Sequence, residues 1–455
     1  MSVRDIAIPR LTGYCRKKEK TMFKIGCSEA VLEVPLFTEL YGYGPFQGRR
    51  NLGVHDPLYC RACFFDDGKN RAMVISSDIC ASDQLYAEGM RSVISKKHHI
   101  APECIAFTAT HTHSGPAVGK DCGIGFGEPD PRVQENWKKL VIEVAAKAIR
   151  DPEEIAGAEA GRAPLSRKLG QNRVEPEKNA TDESIRWIRF LRKDGSCKLL
   201  LHSHGIHGIA MNLPFNKLVS ADWMGAANRK IKERKLASMP LFFLGPCGDV
   251  NTYTSCHVLQ NDTAADVIAD QYMADLEKSL QAGGEKITDL TIRGMFRTCE
   301  MPVVEQSAES LRRDAEIFEP ISKQHAFRLT EMAVALEHGA DLRVMNDFQV
   351  IRFGKDISFL FIPGEYFVED GTALMARSQA KYSFAVTVAN GNGQYFPSEA
   401  DMKRYPDIQS ALNCPNNCRF GFYEIYGYPG QHRFKYQDHI AEFVADNLLT
   451  MEKSI

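Results

Sequence analysis

Short apolar segments alternate along the chain with longer segments of helical spacing, and this alternation excludes all-helical and all-β classes. Strands read at 57–65, 71–77, 103–110, 184–193, 197–204, 240–245, 347–353, 357–362 and 383–389. Helical patterns read at 83–97, 132–150, 222–236, 260–282, 308–337, 366–380 and 434–449. In 132–150, Val133, Trp137, Val141, Val144, Ala145 and Ile149 recur with the period of one helix face. Several strands are neighbours joined by turn residues, as at Asp194-Gly195, so hairpins mix with strand–helix units. That mixture predicts an α/β fold: a single large sandwich-like domain with a mixed central sheet flanked by helices. Composition does not shift along the chain, so one domain over 1–455 is expected, with 305–340 as a candidate helical subdomain insertion.

Charge and cysteine usage narrow the partners. Lys+Arg is 56 against Asp+Glu 58, a net charge of −2, which gives no electrostatic footing for nucleic acid or an anionic membrane. No apolar run is long enough for a transmembrane segment, and the first residues lack the apolar core of a secretory signal. A cytoplasmic chain with its 13 cysteines reduced is the expectation. Cys60 and Cys63 form a CxxC, but on a strand they face opposite sides, which is poor chelate geometry. Cys414 and Cys418, in a Pro/Asn-rich loop, are read likewise as thiols.

Histidine carries the chemistry. Five of the 13 fall in two clusters, each directly after a strand: His111 and His113 in Thr110-His111-Thr112-His113-Ser114-Gly115-Pro116, and His202, His204 and His207. Strand C-terminal ends are where ligand sites of α/β folds collect. An extended His111-x-His113 would point both rings to one face. A lone strand-end histidine is usually satisfied by a backbone carbonyl, but two clusters point to a metal. Glu365 ends the apolar strand before Pro363-Gly364 and is either a third ligand or a cap for the following helix. Gly245-Pro246-Cys247-Gly248-Asp249-Val250-Asn251 reads as a turn between strand and helix. It is either an anion nest or a plain tight turn, and it lacks the GK[ST] of a Walker loop.

Taken together, these motifs resemble the neutral (non-lysosomal) ceramidases. The likeness runs from GVHDPLYCRACFFDDGKNRAMVISSD (53–78) through ATHTHSGP (109–116), SHGIHGIAMN…SADWMG, FFLGPCGDVN and FIPGEY to NGNGQYFP, and so covers nearly the whole chain as that family's catalytic domain. The resemblance implies an α/β metal amidase built around one zinc, with His111, His207, Glu365 and Tyr395 as ligands and His204 as the rival of His207. It also implies that His113, Arg173 and Tyr423 hold the substrate carbonyl oxygen.

The chain departs from the family pattern in three ways. Asn251 stands where the family carries a serine, no C-terminal β-domain follows, and no export signal precedes. A metal-activated water is therefore the expected nucleophile, acting on the amide bond of a small or lipid-like N-acyl substrate. Loops 212–219 and 396–422 would set that substrate. Alternative readings are an ester, lactone or carbohydrate-derived substrate, or a non-catalytic metal-binding relative.

Overall fold

The structure, a computed structural model, describes residues 22–42, 48–119, 127–211, 217–253, 263–320, 323–341, 343–391, 395–407, 410, 424–425 and 435–455. The described strands form three main sheets, each of mixed hydrogen bonding. In the first, the order is Ile105–Ala109, Arg71–Ser77, Leu58–Asp66, Lys24–Leu32, Glu153–Glu154. In the second it is Met239–Leu244, Cys197–His204, Ser184–Leu191, Gly157–Pro164, Glu285–Ile287. In the third it is Ile292–Glu300, Met345–Phe353, Ile357–Phe361, Tyr382–Val386. The α/β class with mixed pairing is as expected from the sequence. The pairing is divided among these sheets, each with its own face to bury, rather than gathered in one.

Each main sheet contains a single parallel pair, and each such pair lies at a sheet edge. The pairs are 71–77 with 105–109, 197–204 with 239–244, and 357–361 with 382–386. Parallel strands end on the same side, so each pair delivers two strand C-termini to one place. The three sets of ends are stitched together. Ala109 N donates to Val388 O at 3.3 Å, Thr387 N to Leu244 O at 2.9 Å, and Gly245 N to His204 O at 3.0 Å. This junction builds the candidate site.

The helices bury the faces that the sequence marks. Pro131–Arg150 starts on Asp130, whose carboxylate accepts from Arg132 N at 2.8 Å, with Pro131 in the first turn. Its Val133, Trp137, Val141, Val144 and Ala145 are buried against the first sheet. The pattern over 308–337 is interrupted. It forms Ala308–Phe318 and Lys323–Glu337, with Pro320 between them, because proline cannot supply the amide that would continue a helix. These two helices pack on each other and join an apolar cluster with Phe348, Leu360, Tyr366 and Leu448.

Cys60 and Cys63 lie on Leu58–Asp66 and are buried, with Cys63 directly opposite Cys27 on the neighbouring strand. The cysteines described are Cys27, Cys60, Cys63, Cys80, Cys104, Cys197, Cys247 and Cys299, all free thiols. Cys414 and Cys418 fall outside the described residues. Burial pushes Cys60, Cys104 and Cys197 up to about 12, so they are thiols, not thiolates, in the folded state. Thiol titration of denatured, unreduced protein is expected to recover close to all 13. Recovery of only a few would contradict the reading of the cysteines as reduced.

Candidate metal centre

His111 follows strand Ile105–Ala109, His207 follows Cys197–His204, and Glu365 follows Ile357–Phe361, so each main sheet gives one residue. All three are buried, and one ligand atom from each lies within 4.8 Å of the other two. His207 Nε2 is 3.1 Å and His111 Nε2 is 3.5 Å from Glu365 Oε2.

The orientation of both rings is fixed from behind. His111 Nδ1 lies 2.8 Å from Cys80 O, and His207 Nδ1 lies 3.0 Å from Val250 O. A backbone carbonyl can only accept, so each Nδ1 carries a proton and each Nε2 faces the centre. Cys80 and Val250 themselves follow strands 71–77 and 239–244, the second members of two of the parallel pairs.

The backbone at His111 is not extended, contrary to expectation. Its φ is 65°, a left-handed conformation that a non-glycine residue adopts only at a cost. The kink is held by His111 N donating to Ile79 O at 2.9 Å. It still brings His113 alongside, with the two Nε2 atoms 3.2 Å apart. The His113 carbonyl is fixed by Arg49 Nη2, and His113 N donates to Gly208 O at 3.0 Å.

Gly208 is the seam between the two histidine clusters. It bridges Thr112, and a Cβ there would come 2.6 Å from His111 O and 2.5 Å from Met224 Cε. Asp222 fastens the loop beyond His207 by accepting from Ala210 N at 3.0 Å, Met211 N at 2.9 Å and Trp223 N at 2.7 Å. His204 points elsewhere. Its ring packs on Trp223 and Tyr272, and its Nδ1 lies 3.2 Å from Ser184 O.

Glu365 pairs with Tyr395 on the short parallel strands Glu365–Tyr366 and Tyr395–Phe396, so the carboxylate and the phenol come from adjacent register positions. The helix after it, Val368–Arg377, has Phe367 at its N-cap and no side-chain cap, so Glu365 does not serve as one. The Gly245–Asn251 segment is a turn held by its own backbone hydrogen bonds. Gly248 N donates to Tyr366 O and Val250 N to Cys247 O, so these two amides are not open to an anion. The turn leads into the short strand Val250–Thr252, not into a helix.

Arg173 is the best-anchored cation at the site. It donates from Nη1 to Asn251 Oδ1 at 3.1 Å, and from Nη2 to Gly248 O at 2.7 Å and to Tyr395 Oη at 3.1 Å. Its Nε lies 3.1 Å from Glu424 Oε1, and its Nη2 lies 3.5 Å from His207 Nε2. Burial opposes the charge on Arg173, but Glu424, Tyr395 and Glu365 outweigh it and hold the guanidinium protonated. Tyr423 lies outside the described residues.

Electrostatics suit a bound cation. Burial, with Arg173 beside it, lowers His207 to about 4, and burial with the neighbouring imidazoles keeps His113 well below the ordinary range. Both are therefore neutral, the form that ligates metal or hydrogen-bonds a substrate. Glu365 is held ionised against its burial by His111 and His207. Cys80 and Glu365 in turn raise His111 well above the ordinary imidazole range against its own burial, so it carries a proton that a bound metal would have to displace. Two neutral-capable imidazoles, one carboxylate and an adjacent phenol are a donor set that fits zinc.

No protein-family model matches the sequence. Among solved structures, neutral ceramidase from Pseudomonas aeruginosa superposes with a TM-score of 0.72 at 13% identity, over 95% of this chain and 74% of that one. A second structure, a ceramidase complexed with C2, gives 0.70 at 14% identity, over 95% and 75%. The chain has the fold of neutral ceramidase. At such identity the likeness speaks for the fold, and the site must be argued from its own residues.

Within this ceramidase fold, the structure brings together His111, His113, Arg173, His207, Glu365 and Tyr395. Sequence reasoning missed the supporting groups Cys80, Gly208, Val250 and Glu424. Three of them act through backbone atoms or through the lack of a side chain, which residue type does not announce. Glu424 is the exception, since a glutamate adjoining Tyr423 was visible in the sequence. A cavity of about 990 Å³ lined by Lys24, Lys69, Arg71 and Arg293 lies around the start of strand Ile105–Ala109, away from these residues.

Proposed function

We propose that this protein is a zinc-dependent hydrolase that cleaves the amide bond of an N-acyl substrate with water as the nucleophile. The observation that carries the reading is the convergence of His111, His207 and Glu365 from three different sheets, with both Nε2 atoms aimed at one carboxylate oxygen. Those three residues with Tyr395 would hold the metal. When bound, zinc lowers the pKa of a coordinated water toward about 7 and polarises a carbonyl.

The chain's own contribution is to hold the carbonyl oxygen as charge develops on it. His113 stands beside His111, and Arg173 is fixed by Gly248, Asn251, Tyr395 and Glu424. Donors locked before the reaction cost no reorganisation during it. Tyr423, as the residue next to Glu424, is assigned as a third donor to the same oxygen. Asn251 has no nucleophilic oxygen, which supports direct attack by water over a covalent route through that position.

The proposed substrate is a soluble or short-chain N-acyl amide, not long-chain ceramide. The test is kcat/KM on N-acyl amides of increasing chain length, using zinc-loaded protein. Each methylene buried in an acyl groove would contribute about 0.8 kcal/mol, so a groove enzyme gains several-fold for each pair of methylenes. Values are expected to level off at short chains. A steady rise through long-chain ceramide would overturn the substrate assignment, and zinc bound without turnover of any amide would overturn the hydrolase reading.

A further inference from the structure

The strand Leu58–Asp66 splits its CxxC between two faces, and Cys63 meets a different cysteine across the sheet. The strand runs antiparallel to Lys24–Leu32 in an unbroken register, from Lys24 opposite Asp66 to Leu32 opposite Leu58. That register sets Cys27 directly opposite Cys63, and residues directly opposite share a face. Cys60 lies on the other face, with its Sγ 3.4 Å from Ser77 Oγ.

The backbone fixes which kind of pair this is. Along a strand, successive residues turn their N–H and C=O groups to alternate neighbours. Phe23 O accepts from Ile155 N at 2.9 Å, on the side away from Leu58–Asp66. Cys27 lies four residues further on, so its N–H and C=O turn the same way. Tyr59 O accepts from Asp78 N at 2.9 Å, on the side of strand Arg71–Ser77. Cys63 lies four residues beyond Tyr59 and turns its backbone to that side too. Cys27 and Cys63 therefore form a non-hydrogen-bonded pair, the kind with Cα atoms about 4.5 Å apart and the closer side chains. Disulfides span Cα separations of about 4.4–6.8 Å, so this pair sits at the short end of the range, where a bridge is strained and readily reduced.

The surroundings suit an ordered reaction of the two thiols. Cys27 is partly exposed and Cys63 is fully enclosed, so a small oxidant reaches Cys27 first. Burial and a hydrogen bond with Cys27 raise the Cys63 thiol well above its ordinary range, against the pull of Arg61 and Lys198. That hydrogen bond sets the two sulfurs side by side.

We propose that Cys27 and Cys63 are a modification site, a cross-strand dithiol that hydrogen peroxide closes into a reversible disulfide. The Cys27 sulfur attacks one peroxide oxygen, the O–O bond breaks, and Cys27 becomes a sulfenic acid as one water leaves. The Cys63 sulfur then attacks the Cys27 sulfur and the S–O bond breaks. The departing hydroxyl takes the Cys63 proton and leaves as a second water. Two thiols and one peroxide thus give one disulfide and two waters.

A peptide map of the full chain tests this. Reduced protein is treated in its native state with hydrogen peroxide, its remaining thiols are blocked with N-ethylmaleimide, and the digest is analysed without reduction. The expected result is a linked pair of peptides carrying Cys27 and Cys63 from one chain, lost again when the oxidised protein is treated with dithiothreitol before digestion. Cys27→Ala and Cys63→Ala should each abolish the link, and Cys60→Ala should keep it. Recovery of Cys27 and Cys63 as blocked thiols would overturn the proposal. So would Cys27 ending as a sulfinic acid, or Cys63 bonded to Cys60 or to a second chain. The deciding map is read on wild-type protein, so it stands whether or not a variant folds.

Discussion

Replacing His111 or His207 with alanine is expected to abolish stoichiometric zinc, while replacing His204 with alanine leaves it intact. His111 and His207 each present Nε2 to Glu365 Oε2, at 3.5 and 3.1 Å, and each is held from behind by a carbonyl. Removing one leaves too few donors for a tight tetrahedral site. His204 belongs to the packing around Trp223 and Tyr272. Its loss should cost stability by opening a buried gap, about 2 kcal/mol, without touching the metal ratio. Metal analysis of the three purified variants checks this. Zinc lost with His204→Ala and kept with His207→Ala would place the second ligand in the wrong register.

The second large effect is expected at Arg173. Arg173→Ala removes the donor to Gly248 O, Asn251 Oδ1 and Tyr395 Oη together, and takes away the guanidinium 3.1 Å from Glu424 Oε1. Leaving several buried acceptors unmet should cost about 3 kcal/mol of stability, and loss of a fixed donor to the carbonyl should lower kcat by about a hundredfold.

Glu424 lets the two losses be told apart. Burial already lifts its carboxyl from 4.5 to about 8, even with Arg173 beside it. The folded state therefore keeps a proton that the unfolded chain releases, and Glu424 makes stability fall as pH rises from about 4.5 to about 8. Adding Glu424→Gln to Arg173→Ala should remove that pH dependence and recover part of the stability, while kcat stays low. Urea unfolding across this pH range, alongside kinetics, measures both. Recovery of kcat by the double variant would show that Arg173 acts only through folding.

The sequence made the site easier to read than the scaffold around it. His111, His207 and Glu365 stand at the ends of apolar strands, and strand ends are visible as the point where periodicity stops. The division into three sheets was not visible, because Lys24–Leu32, Gly157–Pro164 and Ile292–Glu300 lack the apolar runs that mark a strand. Their small residues answer to partners far along the chain. A Cβ at Gly26 would lie 1.7 Å from Ala148 O of the helix that crosses it, and one at Gly161 would lie 2.5 Å from the Trp187 ring. Tertiary packing made these segments strands against their propensity. The left-handed kink at His111 was hidden for a similar reason. It is imposed by Ile79 and by the Gly208 seam, neither of which is adjacent in sequence.

The most direct test of the account is the ligand shell of the bound metal. A rival set is present, since Cys80 Sγ lies 3.5 Å from His111 Nδ1 and groups with His111 and His113 as possible ligands. Zinc-edge X-ray absorption on the loaded protein separates the two, because zinc–sulfur bonds are about 2.3 Å and zinc–nitrogen bonds about 2.0–2.1 Å. The expected result is a shell of nitrogen and oxygen only, with the outer scattering of two imidazoles, and no stoichiometric zinc left to measure in His207→Ala. A sulfur shell that persists in His207→Ala and is lost with Cys80→Ser would contradict it, and would place the metal on Cys80, His111 and His113.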